Sequence, residues 1–434
     1  MTRGARGAGA TDVIVIGAGH SGLAMSGFLS ANSVEHMVLE RGEVANSWRH
    51  ERWDSLRLLT PNWQSRLPDY CYEGADPDGF MTMPEVIRFI ARYAGFVGAP
   101  VRTATTVRAV RQDGEGFCVV TDQREWRCRA VVMAGGAHGI ANLPPLAAAL
   151  PAAVRSLTSK EYRRPGQLDD GGVLVVGASA TGVQLADEIR ASGREVTLAA
   201  GEHIRMPRVY RGRDVQWWLT AAGILDQRFD QVEDLVRARR IPSPQLVGTP
   251  SRATLDLNAL TDRGVNIVGR VVGVNAGKVQ FSGTLRNECA MADLKQGRML
   301  DAFDALAEGS AFGAALEASQ RPAPTRVPET PRLALDLARE RIRTVIWATG
   351  FRPDFSWLQA PVFDAKGRLR HHGGIVAPGL YVLGLNFMRR RKSSFMHGAE
   401  DDVRELGTHL LGHLERVPEH AIRQNPDERV AASK

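Results

Sequence analysis

The hydrophobic pattern places a buried strand at the start of each of two similar segments. Residues 13–16 form a β-branched run, residues 173–176 form a second apolar run, and a glycine-rich stretch follows each. Continuous apolar runs are typical of central strands in a parallel sheet, which is covered on both faces. Apolar stretches after the glycines, residues 23–29 and 183–191, predict helices. The pattern therefore predicts an α/β fold with two βαβ units.

The first glycine-rich turn has the G-x-G-x-x-G spacing of a dinucleotide-binding motif. Its glycines allow a tight turn, close approach to a pyrophosphate, and close helix–strand packing. The pyrophosphate then binds at the helix N-terminus. The residues predicted to bind it are Gly17, Gly19, His20, Ser21 and Gly22. Glu40 follows the next predicted strand, 18 residues after Gly22, where an acid should bind the ribose hydroxyls. A structural turn with a surface Glu40 is the alternative for this motif alone.

The second turn repeats this pattern with Ser179 in place of the middle glycine. Serine is small enough to let the backbone approach a phosphate, and its hydroxyl can donate to it. The residues predicted to bind at this turn are Gly177, Ser179, Ala180, Thr181 and Gly182. No acid matches Glu40 here; Arg205 and Arg208 follow instead, and cations favour a ribose 2′-phosphate. This predicts NADPH over NADH, with a solvated basic loop as the alternative.

Composition excludes several other classes of protein. The 434 residues, 44% hydrophobic and 24% charged, indicate an ordinary globular protein of two or three domains. The net charge of +7 comes with no nucleic-acid recognition motif, so no nucleic-acid partner is expected. The four cysteines form no C-x-x-C pair, which predicts free thiols in a reducing cytoplasm and argues against a disulfide reductase. No signal peptide or membrane-spanning run is visible, so we expect a cytoplasmic protein without a membrane partner.

The combination of two such motifs, with first glycines 160 residues apart, is more specific than either alone. The sequence here resembles the two-dinucleotide-binding-domain flavoproteins, and within them the flavin-containing monooxygenases, including the indole-pyruvate type. The segments that carry the resemblance, beside the two turns, are ERGEVANSWR at 40–49, WDSLRLLTPN at 53–62, LTSKEYRRP at 157–165, ATGF at 348–351 and GLYVLG at 379–384. Asn46 replaces a usual glycine, and Thr158 replaces the histidine of the Baeyer–Villiger signature. The chain therefore resembles a divergent member.

The resemblance implies FAD at the first turn and NADPH at the second. It also implies a discontinuous FAD domain with the NADPH domain inserted, in parallel sheets with helices on both faces. The expected division is a disordered leader at 1–10, the first part of the FAD domain at 11–150, the NADPH domain with an insertion or substrate region at 151–340, and the returning FAD segment with a C-terminal helix and tail at 341–434. Further cofactor-binding residues implied are Arg41, Trp48, Arg49, Gly135, Thr349, Gly350 and Gly384.

The implied activity is that of an FAD-dependent, NADPH-using monooxygenase. In such enzymes reduced flavin forms a C4a-hydroperoxide with O2 and transfers one oxygen atom to a small organic substrate, without a metal. Asn62 is the catalytic candidate near the flavin, with a simple turn residue after Pro61 as its alternative. An NADPH reductase or oxidase without oxygen insertion is a second interpretation. A non-enzymatic nucleotide sensor, docking a partner through residues 389–392, is a third. The sequence is also compatible with a homodimer.

Overall fold

The computed structural model describes residues 9–417. Most of the predicted leader, residues 1–8, and the polar end of the tail, residues 418–434, lie outside the described residues. Gly9 and Ala10 were expected in the leader, but they open the first strand and pair with Trp126 and Arg127. The leader prediction was therefore too long by at least these two residues, because the strand extends past its apolar centre.

Short strands outnumber helices in the described part of the chain. The strands are β1 (Gly9–Ile16), β2 (His36–Leu39), β3 (Arg66–Leu67), β4 (Tyr70–Cys71), β5 (Val101–Arg102), β6 (Val107–Asp113), β7 (Gly116–Thr121), β8 (Glu125–Met133), β9 (Ile140–Ala141), β10 (Arg155–Thr158), β11 (Gly172–Val176), β12 (Val196–Ala200), β13 (Val209–Tyr210), β14 (Arg213–Asp214), β15 (Asn266–Gly269), β16 (Val271–Asn275), β17 (Lys278–Phe281), β18 (Ala334–Asp336), β19 (Ile342–Trp347), β20 (Phe351–Arg352), β21 (Leu358–Gln359), β22 (Ile375–Ala377) and β23 (Leu380–Val382). The helices are α1 (His20–Ala31), α2 (Asn46–His50), α3 (Met83–Phe96), α4 (Ala180–Ala191), α5 (Val215–Ala221), α6 (Leu235–Ala238), α7 (Leu257–Asp262), α8 (Leu285–Glu308) and α9 (Ala399–Arg416).

The first sheet combines the two ends of the described chain. Its main path runs β21-β6-β7-β8-β1-β2-β5, and β23 from the returning segment pairs with β8. The core strands β8, β1 and β2 are parallel, whereas β6, β7 and β8 pair antiparallel. The discontinuous first domain is thus confirmed. The expected parallel sheet is confirmed at its core, and the antiparallel meander β6-β7-β8 extends the same sheet.

The second sheet is the inserted domain, and its strands are all parallel in the order β10-β19-β11-β12-β15. Strand β19, assigned by sequence to the returning first domain, pairs here with both β10 and β11. The second domain therefore extends through Trp347, not to residue 340. This correction arises because an apolar strand carries no signal for which of two similar sheets it enters.

The region between the second turn and β19 adds smaller units to this domain. Strands β16, β17 and β18 form an antiparallel sheet, and α8 packs with α5 around a separate apolar cluster that includes Trp218 and Phe303. These two rings stack with centroids 5.2 Å apart. None of the helices within residues 9–417 combines the length and the apolar character needed to cross a bilayer.

The basic run at 389–392 is not a solvated face. Arg389 and Lys392 are buried, and Arg389 pairs with Glu405 of α9 at 3.0 Å. Lys392 lies between Asp226 and Asp401, at 2.5 and 2.7 Å. These cations tie the segment before α9 to the rest of the fold, so they are not free to dock a partner.

Candidate nucleotide-binding site

The first glycine turn is built so that two of its glycines are required by the backbone. Gly17 has a φ of +108°, and a Cβ there would lie 2.6 Å from the carbonyl oxygen of Ala134. A Cβ on Gly22 would lie 2.0 Å from the carbonyl oxygen of Gly17, which is the close helix–strand contact expected of this motif. Gly19 differs, because nothing lies within 4 Å of its Cβ position. The open side of the turn at Gly19 can therefore accept a phosphate.

A cleft of about 500 Å³ lies beside this turn. It is lined by the turn, the end of β2, the loop after β8 and the returning segment. The predicted cofactor-binding residues among its walls are Gly17, Gly19, His20, Ser21, Glu40, Arg41, Trp48, Gly135 and Gly384. Helix α1 starts at this cleft without a side-chain cap, so its first N–H groups are available to an anion.

Glu40 is held at the end of β2 by two backbone donors. Its Oε2 accepts from the amide of Ala18 at 2.9 Å, and its Oε1 accepts from the amide of Gly42 at 3.0 Å. Each carboxylate oxygen has a second lone pair. The side chain is therefore oriented at the edge of the cleft and can still accept hydrogen bonds from ribose hydroxyls.

The second turn repeats the first turn closely. Gly177 has a φ of +110°, and its Cβ would lie 2.5 Å from the carbonyl oxygen of Ala348. A Cβ on Gly182 would lie 1.7 Å from the carbonyl oxygen of Gly177. Ser179 precedes α4 and makes no capping hydrogen bond with its side chain. Its hydroxyl and the N-terminal amides of α4 are thus available to a second phosphate group.

The two turns face cavities that share a wall. Ala180 and Thr181 of the second turn line a cavity of about 160 Å³ between the domains. Trp48, Arg52 and His138 line both this cavity and the larger cleft. Groups bound at the two turns would therefore meet at these three side chains.

Arg52 and His138 were not found from the sequence. His138 lies in the loop after β8, two residues after Gly136. Its ring packs edge-on against that of Phe351, with centroids 5.0 Å apart. Desolvation by the surrounding protein, together with the nearby cations Arg52 and Lys160, lowers the pKa of His138 to about 4. His138 is therefore neutral at pH 7. Its position after the Ala134-Gly135-Gly136 stretch was the signal that could have identified it.

Neither Arg205 nor Arg208 lines either cavity, and both are paired with carboxylates. Arg205 is 4% exposed and donates to Asp256 at 2.7 Å and to Asp293 at 2.8 Å. Arg208 is 1% exposed, is bound by both carboxylate oxygens of Asp214 and donates to the carbonyl of Leu59. Their assignment to a 2′-phosphate is therefore withdrawn, because both guanidinium groups are buried and already neutralised.

The catalytic candidate Asn62 lies in a 3-10 turn and is not among the residues that line the cleft. Its side-chain amide donates to the carbonyl of Asp76 at 2.8 Å, and its backbone amide donates to Gly79. Its Oδ1 is buried and has no hydrogen-bond partner within the described residues, so the catalytic role of Asn62 stays a prediction beside the turn interpretation.

Arg49, Thr349 and Gly350 were also predicted to bind a cofactor, and they are not part of the wall of the cleft. Arg49 donates to the carbonyl of Val44 and pairs with Glu43 at 3.4 Å. The hydroxyl of Thr349 donates to the carbonyl of Asn142, whose amide donates to Gly350. Thr349 and Gly350 therefore fasten the crossing between the two domains, and their contact with a cofactor stays a prediction.

His20, at the start of α1, provides a pH test of this site. Burial lowers its pKa to about 4, and its Nε2 has no partner within the described residues. The folded protein therefore keeps His20 neutral, whereas the unfolded chain takes up a proton near pH 6.5. The stability from this group is complete above pH 6.5 and is lost as the pH falls towards 4.

We expect His20→Asn to reduce the loss of unfolding free energy between pH 7.5 and pH 5 by about 1–2 kcal/mol. Urea unfolding at both pH values measures it. His50→Asn, at an exposed histidine, is the matched control for the loss of an imidazole. An equal pH dependence in wild type and His20→Asn would contradict the assignment.

Two glycine turns at the carboxyl edges of two sheets, each beside a cavity, define a protein with two dinucleotide-binding domains. Residues 14–232 match the pyridine nucleotide-disulphide oxidoreductase family, and the chain belongs to that family. It is therefore an oxidoreductase. Cys71 is exposed while Cys118, Cys128 and Cys289 are buried, and all four are free thiols.

Relatives and solved structures extend this comparison along the chain. An uncharacterized CzcO-like oxidoreductase of Geobacillus kaustophilus is 29% identical over 407 residues, which cover 93% of this chain and 99% of the relative. The rice indole-3-pyruvate monooxygenase YUCCA1 is 28% identical over 203 residues, 45% of this chain and 49% of the rice protein. A flavin-containing monooxygenase from Stenotrophomonas maltophilia superposes with a TM-score of 0.64 at 20% identity, covering 93% of this chain and 99% of that one. This last likeness confirms the predicted two-domain fold.

Proposed function

We propose that the protein is an FAD-dependent, NADPH-using monooxygenase acting on a small organic substrate. The observation that carries the proposal is the shared wall of Trp48, Arg52 and His138 between the two cavities. Two dinucleotides bound at the two turns would bring their reactive ends together there. The names of the rice and Stenotrophomonas relatives support oxygen transfer as the outcome.

The residues present fit these two cofactors. The open face at Gly19 and the uncapped start of α1 suit the pyrophosphate of FAD, and Glu40 suits its ribose. Ser179 and the start of α4 suit the pyrophosphate of NADPH. When bound, the flavin supplies the hydride and oxygen chemistry.

The chain's own contribution is to position the two cofactors. Trp48 and the neutral His138 add no net charge at the meeting point of the cavities. Arg52 adds a cation there, and its guanidinium carbon lies 5.4 Å from the centroid of the Trp48 ring.

Rapid mixing tests the proposal. The FAD-loaded protein is reduced with NADPH without oxygen and then mixed with oxygenated buffer. We expect flavin reduction, followed by a transient near-ultraviolet absorbance distinct from both oxidised and reduced flavin. The same protein mixed with oxygen after dithionite reduction, without NADPH, is the control for the role of the nucleotide.

Two results would contradict the proposal. Direct return to oxidised flavin with stoichiometric peroxide, also in the presence of candidate amines, sulfides and 2-oxo acids, would assign a reductase or oxidase. No reduction by NADPH above background would assign a nucleotide-binding protein without this activity.

A further inference from the structure

Arg270 lies at the carboxyl edge of the second sheet, directly after β15. Its guanidinium group makes no hydrogen bond or ion pair within residues 9–417. Strands β12 and β15 are parallel neighbours, and Ala200 is in register with Gly269. Gly201 and Arg270 therefore emerge side by side at the edge where nucleotides bind in such sheets.

Backbone hydrogen bonds fix which position corresponds to Glu40. The amide of Gly17 donates to the carbonyl of Leu39 at 2.8 Å, and the amide of Gly177 donates to that of Ala199 at 2.9 Å. Ala200 thus occupies the place of Glu40. It is buried and has no carboxylate to bind a ribose diol or to repel a phosphate.

The side chain of Arg270 packs beside Gly201, the residue after Ala200. A Cβ built on Gly201 would be 3.3 Å from its Cδ and 3.4 Å from its Cγ, so the arginine stem packs along the glycine. The side chain is exposed, and within residues 9–417 its guanidinium takes part in no ion pair or hydrogen bond. The neighbouring acid Glu202 pairs with Lys295 at 2.9 Å, which leaves little opposing charge for Arg270.

We propose that Arg270 binds the 2′-phosphate of NADPH and sets the preference for NADPH over NADH. A planar guanidinium binds phosphate through two parallel hydrogen bonds, and a free one gives up no existing partner. Arg205 and Arg208 would each have to leave a buried carboxylate first. The inference rests on the proposed use of NADPH at the second turn.

Calorimetric binding of 2′,5′-ADP and 5′-AMP tests the inference without catalysis. Both nucleotides carry the adenosine half of the cofactor, and only the first carries the 2′-phosphate. We expect the FAD-loaded wild type to bind 2′,5′-ADP more tightly than 5′-AMP. Arg270→Ala should weaken 2′,5′-ADP binding roughly tenfold or more and leave 5′-AMP binding unchanged. Arg270→Lys should fall between the two.

Arg92, an exposed arginine of α3 in the first domain, is the matched control. Arg92→Ala should keep the preference for 2′,5′-ADP, which excludes a general effect of net charge. An Arg270→Ala protein that retains the wild-type preference overturns the inference and leaves the proposed NADPH use intact. A wild type that binds both nucleotides equally overturns it together with the NADPH preference. A wild type that binds neither overturns the second nucleotide site itself.

Discussion

Gly17→Val is expected to yield protein without bound FAD. The backbone at Gly17 is left-handed, and a Cβ there would lie 2.6 Å from the carbonyl oxygen of Ala134. Valine would open the turn and displace the amides that meet the pyrophosphate. The ratio of flavin to protein absorbance after purification measures the loss, and circular dichroism checks that the chain is folded.

A pair of variants keeps this prediction testable if Gly17→Val fails to fold. Gly19→Val adds a side chain into open space at the cleft, so the fold should persist while FAD occupancy falls. Gly95 of α3 also has nothing within 4 Å of its Cβ position, but it lies outside the cleft. Gly95→Ala should retain full FAD and gain up to about 1 kcal/mol of stability. Full occupancy in folded Gly19→Val would remove the assignment of this turn to FAD.

Arg208→Ala is expected to lower the free energy of unfolding by about 3–5 kcal/mol. The reason is that Asp214 is 3% exposed and would be left as a buried charge without its partner. Urea unfolding measures the effect. Removing Asp214 as well should restore part of the loss, because the double variant leaves no lone carboxylate.

Arg213 is the matched control for this stability effect. It is exposed and contacts Trp217 at 5.5 Å, so Arg213→Ala should cost less than about 1 kcal/mol. If Arg208→Ala kept wild-type stability and instead weakened binding of 2′,5′-ADP alone, the structural role of Arg208 would be wrong. Its phosphate-binding role would then return.

Binding and stability therefore separate two kinds of arginine in the second domain. Arg208 supports the fold through a buried carboxylate. Arg270 has no ion pair or hydrogen bond to its guanidinium within residues 9–417, and it packs along Gly201, next to the residue that corresponds to Glu40. Both kinds look alike in the sequence, because charge type says nothing about burial. Arg205 and Arg208 are buried against carboxylates, whereas Arg270 is exposed. For this reason we propose residue 270, and not residues 205 and 208, for the 2′-phosphate.

Local patterns in the sequence determined the two nucleotide turns. A β-branched run, glycines at fixed spacing and an apolar helix act within about 20 residues, so their geometry follows from neighbouring positions. Gly17 and Gly177 have nearly equal φ values, +108° and +110°, and each turn closes against the carbonyl of an alanine that directly follows another strand. The two-domain fold followed from these motifs.

Three features depend on contacts between residues that are distant in the sequence: the pairing of Arg205, the sheet that β19 joins, and the residues that line the shared cavity. Arg205 meets Asp256 and Asp293, which are 51 and 88 positions away, and β19 joins the second sheet by pairing with strands far earlier in the chain. Trp48 and His138 likewise meet only because two segments fold around one cavity. Burial and ion pairing depend on the whole packed chain, so the sequence determined where nucleotides can bind, and the tertiary structure decided which side chains remain free to bind them.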